Sequence, residues 1–171
     1  MKKKILRSPL FYVGDKYKLM GEIGTYFPDN IGKFVEPFVG GGSVFMNTVA
    51  EQYYLNDIDS YIIGLHKYLC KAANKHTLFF AHVENIIKAY GLSYSYKEDT
   101  VPYELKKQFK KTYFAKYNKV AYEQMRTDFN ESSKDDMTVL YLLLIYGFNR
   151  MLRFNKSCLL YTSDAADDLI G

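Results

Sequence analysis

The sequence predicts an α/β fold, in which a parallel sheet is followed by an inserted helical subdomain. Two short runs of β-branched and aromatic residues, 34–39 and 53–56, each end in a turn that leads toward a helix. From about residue 77 the apolar residues instead recur at helical spacing. Because parallel strands need a crossover between them, this order of elements predicts the start of a parallel sheet.

The first predicted element is a buried strand at Phe34–Val39 that stops at three glycines, Gly40 to Gly42. Glycine adopts positive φ without a steric penalty and lets backbone N–H groups approach a ligand closely. Ser43 is placed to cap a helix after this loop, because serine side chains accept hydrogen bonds from the first N–H groups of a helix. The apolar residues of that helix would be Val44, Phe45 and Val49.

The second predicted strand, Tyr53–Asn56, closes in an acidic turn that begins at Asp57. The next helix is expected from about Ser60, with Ile62, Leu65, Leu69 and Cys70 at helical spacing. This succession is typical of a Rossmann-like sheet, in which an acidic residue after the second strand accepts hydrogen bonds from ribose hydroxyls. The alternative is that Asp57 caps the helix, a role that Asp59 or Ser60 can also fill.

The rest of the chain is predicted to be helical, at 78–90, 104–120 and 136–146. We therefore divide the chain into a sheet domain at 1–76, a helical subdomain at 77–157 and a tail at 158–171.

One helical segment, Lys106–Lys119, interleaves lysines with aromatic residues. The favoured interpretation is a helix that buries Phe109, Tyr113 and Tyr117 and solvates its lysines. The alternative is a surface that follows phosphates.

Composition limits the class of protein. With 171 residues, 48% hydrophobic and 25% charged, the chain fits one globular domain with a small insert and excludes collagen, coiled coil and disorder. Two cysteines exclude a disulfide scaffold. No apolar stretch suffices for an export signal or a membrane span, so we expect a cytoplasmic protein without a membrane partner.

The positive charge is unevenly distributed. All 23 basic residues precede residue 158 and three of the 19 acidic residues follow it, so residues 1–157 carry a net charge of +7. This excess favours a polyanionic partner.

The glycine loop alone leaves several ligands open. A dinucleotide fingerprint requires a third glycine where Phe45 stands, and the lysine of a P-loop is absent. A plain tight turn remains an alternative. We predict no metal site, because His66, His76 and His82 lack metal-ligand spacing with Cys70.

Four segments together resemble the DNA adenine methylase (Dam-like) family. They are Ser8–Leu19, Phe34–Asn47 with its Glu-Pro-Phe-Val-Gly-Gly-Gly-Ser string, Leu55–Asp59, and Tyr146–Ser157. The resemblance spans most of residues 1–157 and is weakest between about 72 and 120. Asp15 stands where the family usually has a second glycine.

The resemblance implies a truncated Rossmann-like methyltransferase fold that binds S-adenosylmethionine and methylates adenine in double-stranded DNA by base flipping. Phe148, Asn149 and Arg153 would contact DNA, and we expect a monomer. The cofactor-binding residues implied are Tyr12, Lys16, Glu36, Pro37, Phe38, Gly40, Gly42 and Asp57. Glu36 would face the methionine end, and Asp57 would hold the ribose.

The family's Asp-Pro-Pro-Tyr motif, which grips the flipped adenine, is absent, so no catalytic residue is assigned. Only Asp99–Tyr103 approaches it, and that segment lacks the second proline. Residues 158–168 resemble a translated sequencing adapter, so we expect an inactive fragment whose native sequence ends near Ser157. The alternatives are a non-catalytic S-adenosylmethionine- or DNA-binding protein with a genuine tail, and a nicotinamide-dependent oxidoreductase, which Phe45 disfavours. The DNA sequence recognised, and a phage, restriction-modification or housekeeping role, stay open.

Overall fold

The computed structural model describes residues 4–94, 96–97, 101–147, 154 and 160. The chain divides into two compact units, Met1–Cys70 and Lys71–Gly171. The mixture of helices and strands agrees with the predicted α/β class. Among the described helices, none combines the length and the apolar composition that spanning a bilayer requires.

The first unit contains two parallel strands, β1 (Lys33–Glu36) and β2 (Gln52–Leu55), which pair in register from Lys33 opposite Gln52 to Glu36 opposite Leu55. Past the strands the backbones stay joined, because Asn56 N–H donates to Glu36 O and Val39 N–H donates to Asn56 O, both at 2.9 Å. The glycine loop and the acidic turn therefore leave the same edge of the sheet side by side.

The first strand is less buried than the sequence predicted. Val35 is 66% exposed, and along β1 exposed residues alternate with half-buried ones. An alternating pattern is typical of a strand with one covered face rather than two. The prediction of a buried strand is therefore wrong for this structure.

Before the sheet, a 3₁₀ turn at Tyr17–Leu19 continues into the short helix α1 (Met20–Ile23), and a second 3₁₀ turn follows at Gly24–Tyr26. After the sheet comes one long helix, α2 (Ser60–Ala73). Ile62 and Leu65 of α2 are almost completely buried, as their spacing predicted, whereas Cys70 is exposed.

The described residues of the second unit form helices, two of which match the predicted segments 78–90 and 136–146. Its helices are α3 (His76–Tyr90), α4 (Tyr103–Gln108), α5 (Tyr113–Glu131) and α6 (Met137–Tyr146). The single helix predicted at 104–120 is wrong, because Phe109 leaves the helical backbone region (φ −122°, ψ 60°) and separates α4 from α5. The core of this unit lies on α3, α5 and α6 and includes Val83, Ile87, Met125, Phe129, Leu140, Leu143 and Leu144.

The lysine-rich segment does not bury the aromatic residues that the sequence indicated. Phe109, Tyr113 and Tyr117 are half-buried, and the buried residue of this part of α5 is Asn118. Ser93 N–H donates to Asn118 Oδ1 at 2.7 Å, so the buried side chain of this segment is polar and not aromatic. Most of the lysines are exposed, as predicted.

A single side chain caps α6. Asp136 Oδ1 accepts hydrogen bonds from the backbone N–H groups of Thr138 (2.9 Å) and Val139 (3.1 Å). Asp136→Ala removes both and is expected to lower the free energy of unfolding by about 1 kcal/mol, whereas Asp136→Asn keeps the acceptor and most of the stability. Urea denaturation followed by circular dichroism measures both variants. Equal losses would contradict capping as the cause.

Candidate functional site

The centre of the site is the loop between the two strands, at Val39–Gly42. Gly42 N–H donates to Val39 O at 2.7 Å and closes the turn. Gly40 (φ +45°) and Gly42 (φ +83°) adopt left-handed backbone, which side chains with a Cβ rarely do. The loop thus needs glycine at two of its three glycine positions for backbone reasons alone.

The Asp57 carboxylate holds this loop from the second strand. Its Oδ2 accepts from Gly40 N–H at 2.8 Å, and its Oδ1 accepts from Asp59 N–H at 3.0 Å. Asp59 caps α2, because its Oδ1 accepts from the N–H groups of Tyr61 (2.9 Å) and Ile62 (3.3 Å). The capping role that the sequence left open therefore belongs to Asp59. Since a carboxylate has about four acceptor sites, Asp57 retains capacity for a ligand.

The second carboxyl group of the site is Glu36, at the end of β1. Its Oε2 accepts from Phe45 N–H at 3.1 Å. Burial raises the pKa of Glu36 to about 7, and the hydrogen bond from Phe45 opposes this rise. Near neutral pH Glu36 is therefore poised between its acid and its carboxylate, a state that a nearby cation would shift.

The predicted helix after Ser43 is wrong. Only a 3₁₀ turn at Phe45–Asn47 forms, and Val49 is exposed. Glu36 takes the N–H of Phe45 that a serine cap would have satisfied. Ser43 Oγ is instead buried, and no hydrogen-bond partner for it lies among the described residues. A buried hydroxyl without a partner beside a glycine loop fits a site that receives a polar ligand.

The N-terminal segment lies against the loop. Ser8 Oγ donates to the carbonyl of Gly41 and accepts from Leu10 N–H at 3.0 Å. Asn47 bonds both backbone groups of Leu6, accepting from its N–H at 2.7 Å and donating to its carbonyl at 2.8 Å. Ser8 and Asn47 lie in the segments that resemble the family, but no local pattern predicts these contacts, which join residues 33 and 41 positions apart.

Tyr12 lies directly beside Gly40. A Cβ added at Gly40 would lie 2.8 Å from Tyr12 Cδ1, so glycine is required here for close approach as well. Burial and then the negative charges of Asp57 and Asp59 raise the pKa of the Tyr12 phenol. The aromatic ring and the Asp57 carboxylate thus belong to one site.

The remaining predicted cofactor residues take no part in the contacts described above. Lys16 Nζ donates to the carbonyl of Gly14 at 2.7 Å and so closes its own turn. Gly14 takes the left-handed position of that turn (φ +81°), which allows Asp15 beside it. Pro37 is exposed, and Phe38 is 83% exposed.

A buried histidine contacts the glycine loop, although its place in the sequence suggested no role other than metal binding to test. His66 of α2 is 9% exposed, and its Nε2 lies 2.8 Å from the carbonyl oxygen of Gly40. Its ring meets Phe45 edge to face, with centroids 5.3 Å apart. Over the described ranges, no three His, Cys, Asp or Glu side chains converge to hold a metal ion.

The structure therefore gathers Tyr12, Glu36, Gly40, Gly42 and Asp57 at one edge of the sheet. The contacts just described do not join Lys16, Pro37 or Phe38 to that group. The three predicted DNA-contacting residues, Phe148, Asn149 and Arg153, lie outside the described residues.

Comparison with known proteins gives the family. Residues 12–158 match the model of D12 class N6 adenine-specific DNA methyltransferases. The chain is 32% identical over 152 residues to the type II methyltransferase M.FokI of Planomicrobium okeanokoites, covering 89% of this chain and 20% of that protein. It is 34% identical over 153 residues to the DNA adenine methylase of Escherichia coli K12, covering 87% of this chain and 44% of that protein.

A third relative, the DNA adenine methylase of Vibrio cholerae (strain O395), is 32% identical over 162 residues, covering 91% of this chain and 46% of that protein. The chain thus spans a fifth to about half the length of these relatives. The match covers both the glycine loop and the helical unit. The chain belongs to the D12 class N6 adenine-specific DNA methyltransferase family.

Proposed function

We propose that this chain is the S-adenosylmethionine-binding part of an enzyme that methylates the exocyclic amine of adenine in duplex DNA. The observation that carries the proposal is the Gly40–Asp57 hydrogen bond of 2.8 Å, which places a carboxylate on a glycine loop at the carboxyl edge of parallel strands. Ligands of open α/β sheets bind at this edge. Among such ligands, membership of a methyltransferase family favours the methyl donor S-adenosylmethionine.

The residues present fit that cofactor. Asp57 offers acceptors for ribose hydroxyls, and Glu36 offers a carboxylate for the ammonium of the methionine moiety. Tyr12 supplies an aromatic surface beside Gly40, and the Ser43 hydroxyl, which has no hydrogen-bond partner among the described residues, lies beside the loop. Lys16, Pro37 and Phe38 complete the proposed contact set on the strength of the family pattern.

The chemistry asks these residues to bind and orient. S-adenosylmethionine, when bound, supplies a methyl group already activated on a sulfonium. Asp57 would hold the ribose and Glu36 the methionine ammonium, so that these two side chains would orient the donor for attack by an amine. Holding two reactants in such alignment lowers the barrier without any proton transfer from the protein.

We propose a Rossmann-like domain at 1–76 and an inserted DNA-recognition subdomain at 77–157. An adenine inside a duplex is out of reach of a bound donor, so the base must be flipped into a pocket. Phe148 and Asn149 would help open the duplex, and Arg153 would contact DNA near the recognised bases. The sequence contains no Asp-Pro-Pro-Tyr, so this chain lacks the residues that grip the flipped adenine.

The test of this function is binding without turnover. Isothermal titration of the 171-residue chain with S-adenosylmethionine should give saturable heat, and a parallel titration with NAD⁺ should give none. Incubation with duplex DNA and a methyl-labelled donor should leave the DNA unlabelled. Heat with NAD⁺ alone would replace the proposal with the dinucleotide alternative, and labelled DNA would overturn the predicted inactivity.

The pKa of Glu36 predicts how binding depends on pH. An ammonium group bound beside Glu36 favours the carboxylate, so binding lowers the pKa of Glu36 from about 7 and releases its proton. Affinity should therefore rise with pH by up to about tenfold per unit below pH 7 and level off above it. Titration calorimetry across this range, in buffers of different ionisation enthalpy, measures both the slope and the proton release.

The control for this prediction is Glu36→Gln, which keeps the size of the side chain but does not titrate. Its affinity should be lower at pH 8 and nearly independent of pH between 5.5 and 7. A slope that survives in Glu36→Gln would assign the proton to another group.

A further inference from the structure

We propose that His66 is a positioning residue. It holds the Gly40 carbonyl, and this fixes the orientation of the Gly40 N–H at the cofactor site. The proposal rests on the function proposed above, because it concerns the same loop. His66 itself makes no contact with the cofactor in this proposal and acts only through the backbone of Gly40.

The geometry at Gly40 carries the argument. Its N–H donates to Asp57 Oδ2 at 2.8 Å, and its carbonyl oxygen lies 2.8 Å from His66 Nε2. These two groups belong to the two peptide units that flank one Cα. Holding both units fixes the φ and ψ angles of Gly40, a residue that by itself has more backbone freedom than any other. Asp57 and His66 thus remove that freedom before a ligand arrives.

The surroundings of His66 separate this role from that of an ordinary core histidine. The ring fills a space that exists only because residue 42 is glycine, since a Cβ at Gly42 would lie 2.7 Å from His66 Cε1. Phe45, whose N–H is held by Glu36, packs edge to face on the ring with centroids 5.3 Å apart. His66 therefore touches the loop at its first and third glycines.

The protonation state suits a donor. A carbonyl oxygen only accepts, so the neutral ring must carry its proton on Nε2 to form the bond. Burial lowers the pKa of His66, although the Gly40 hydrogen bond and the charge of Asp57 oppose this fall. The imidazole is consequently neutral at pH 7 and donates without placing a positive charge beside a cationic ligand.

The experiment compares two substitutions in the 171-residue chain. His66→Leu removes the donor and substitutes an apolar side chain of similar size. His66→Gln instead places an amide N–H near the position of Nε2. Loss of one buried hydrogen bond is expected to weaken S-adenosylmethionine binding about 5- to 10-fold in His66→Leu. Affinity in His66→Gln should return to within about twofold of the wild type. His82→Leu, at an exposed histidine of α3, is the matched control and should bind normally.

A second measurement separates positioning from folding. Amide hydrogen exchange of Gly40 in the ligand-free chain should accelerate in His66→Leu, while exchange of the buried α2 residue Leu65 stays slow. Equal affinities of the wild type and His66→Leu, or unchanged Gly40 exchange, would overturn the proposal. If the wild type gave no heat with S-adenosylmethionine, the proposed function would fail, and Gly40 exchange would still decide whether His66 fixes the loop.

Discussion

Gly42→Ala is expected to abolish measurable cofactor binding and to destabilise the first unit more than any other single-methyl addition in the loop. Gly42 has φ +83°, and a Cβ there would lie 2.4 Å from Phe45 Cε1 and 2.7 Å from His66 Cε1. The left-handed backbone costs about 1–2 kcal/mol with a Cβ present. Moving two packed rings adds about 1–3 kcal/mol and breaks the His66–Gly40 hydrogen bond.

The matched control for Gly42→Ala is Gly91→Ala. Gly91 also has left-handed backbone (φ +70°), but apart from its chain neighbours no atom of the described part of the chain lies within 4 Å of its added Cβ. Gly91→Ala should therefore lose only the backbone contribution and leave cofactor affinity unchanged. Urea denaturation and titration calorimetry measure both variants. If the two lost the same stability, the crowding against Phe45 and His66 would have no energetic weight.

The parts of the site that the sequence predicted are local in origin. The glycine loop begins three residues after the end of β1, and Asp57 lies two residues after the end of β2, so parallel pairing alone brings them together. Asp59 is one of three residues that the sequence offered as a cap, and an aspartate one residue before a helix satisfies N–H groups two and three residues later. Such features depend on neighbours within a few residues or on one strand pairing.

The parts that sequence reasoning missed depend on contacts between distant residues. Glu36 replaces Ser43 as the acceptor for Phe45 N–H, and no spacing rule distinguishes the two in advance. His66 shares a face of α2 with Ile62 and Leu65, so its position in the helix predicts burial but not its partner 26 residues earlier. The break at Phe109 has no glycine or proline to signal it.

Asp57→Ala is expected to weaken S-adenosylmethionine binding by about 100-fold, the largest loss for a side chain outside the glycines. Two effects combine, since the substitution removes the acceptor for the ribose and also releases Gly40 N–H. Hydrogen bonds to a charged group contribute about 1.5–3 kcal/mol each, and 1.4 kcal/mol is tenfold in affinity. Asp59→Ala is the matched control, because it removes the neighbouring carboxylate and the cap of α2 but no bond to the loop. It should cost about 1 kcal/mol of stability and little affinity.

The two effects of Asp57 are separable with a modified ligand. A dideoxyribose analogue of the cofactor lacks the hydroxyls that Asp57 would accept from, so the wild type should bind it more weakly than the parent compound. In Asp57→Ala this difference should vanish, while the contribution from the released Gly40 N–H remains in both titrations. If Asp57→Ala still preferred the parent compound by the wild-type factor, the ribose would be held elsewhere. The role of Asp57 would then be limited to holding the glycine loop through its bond to Gly40.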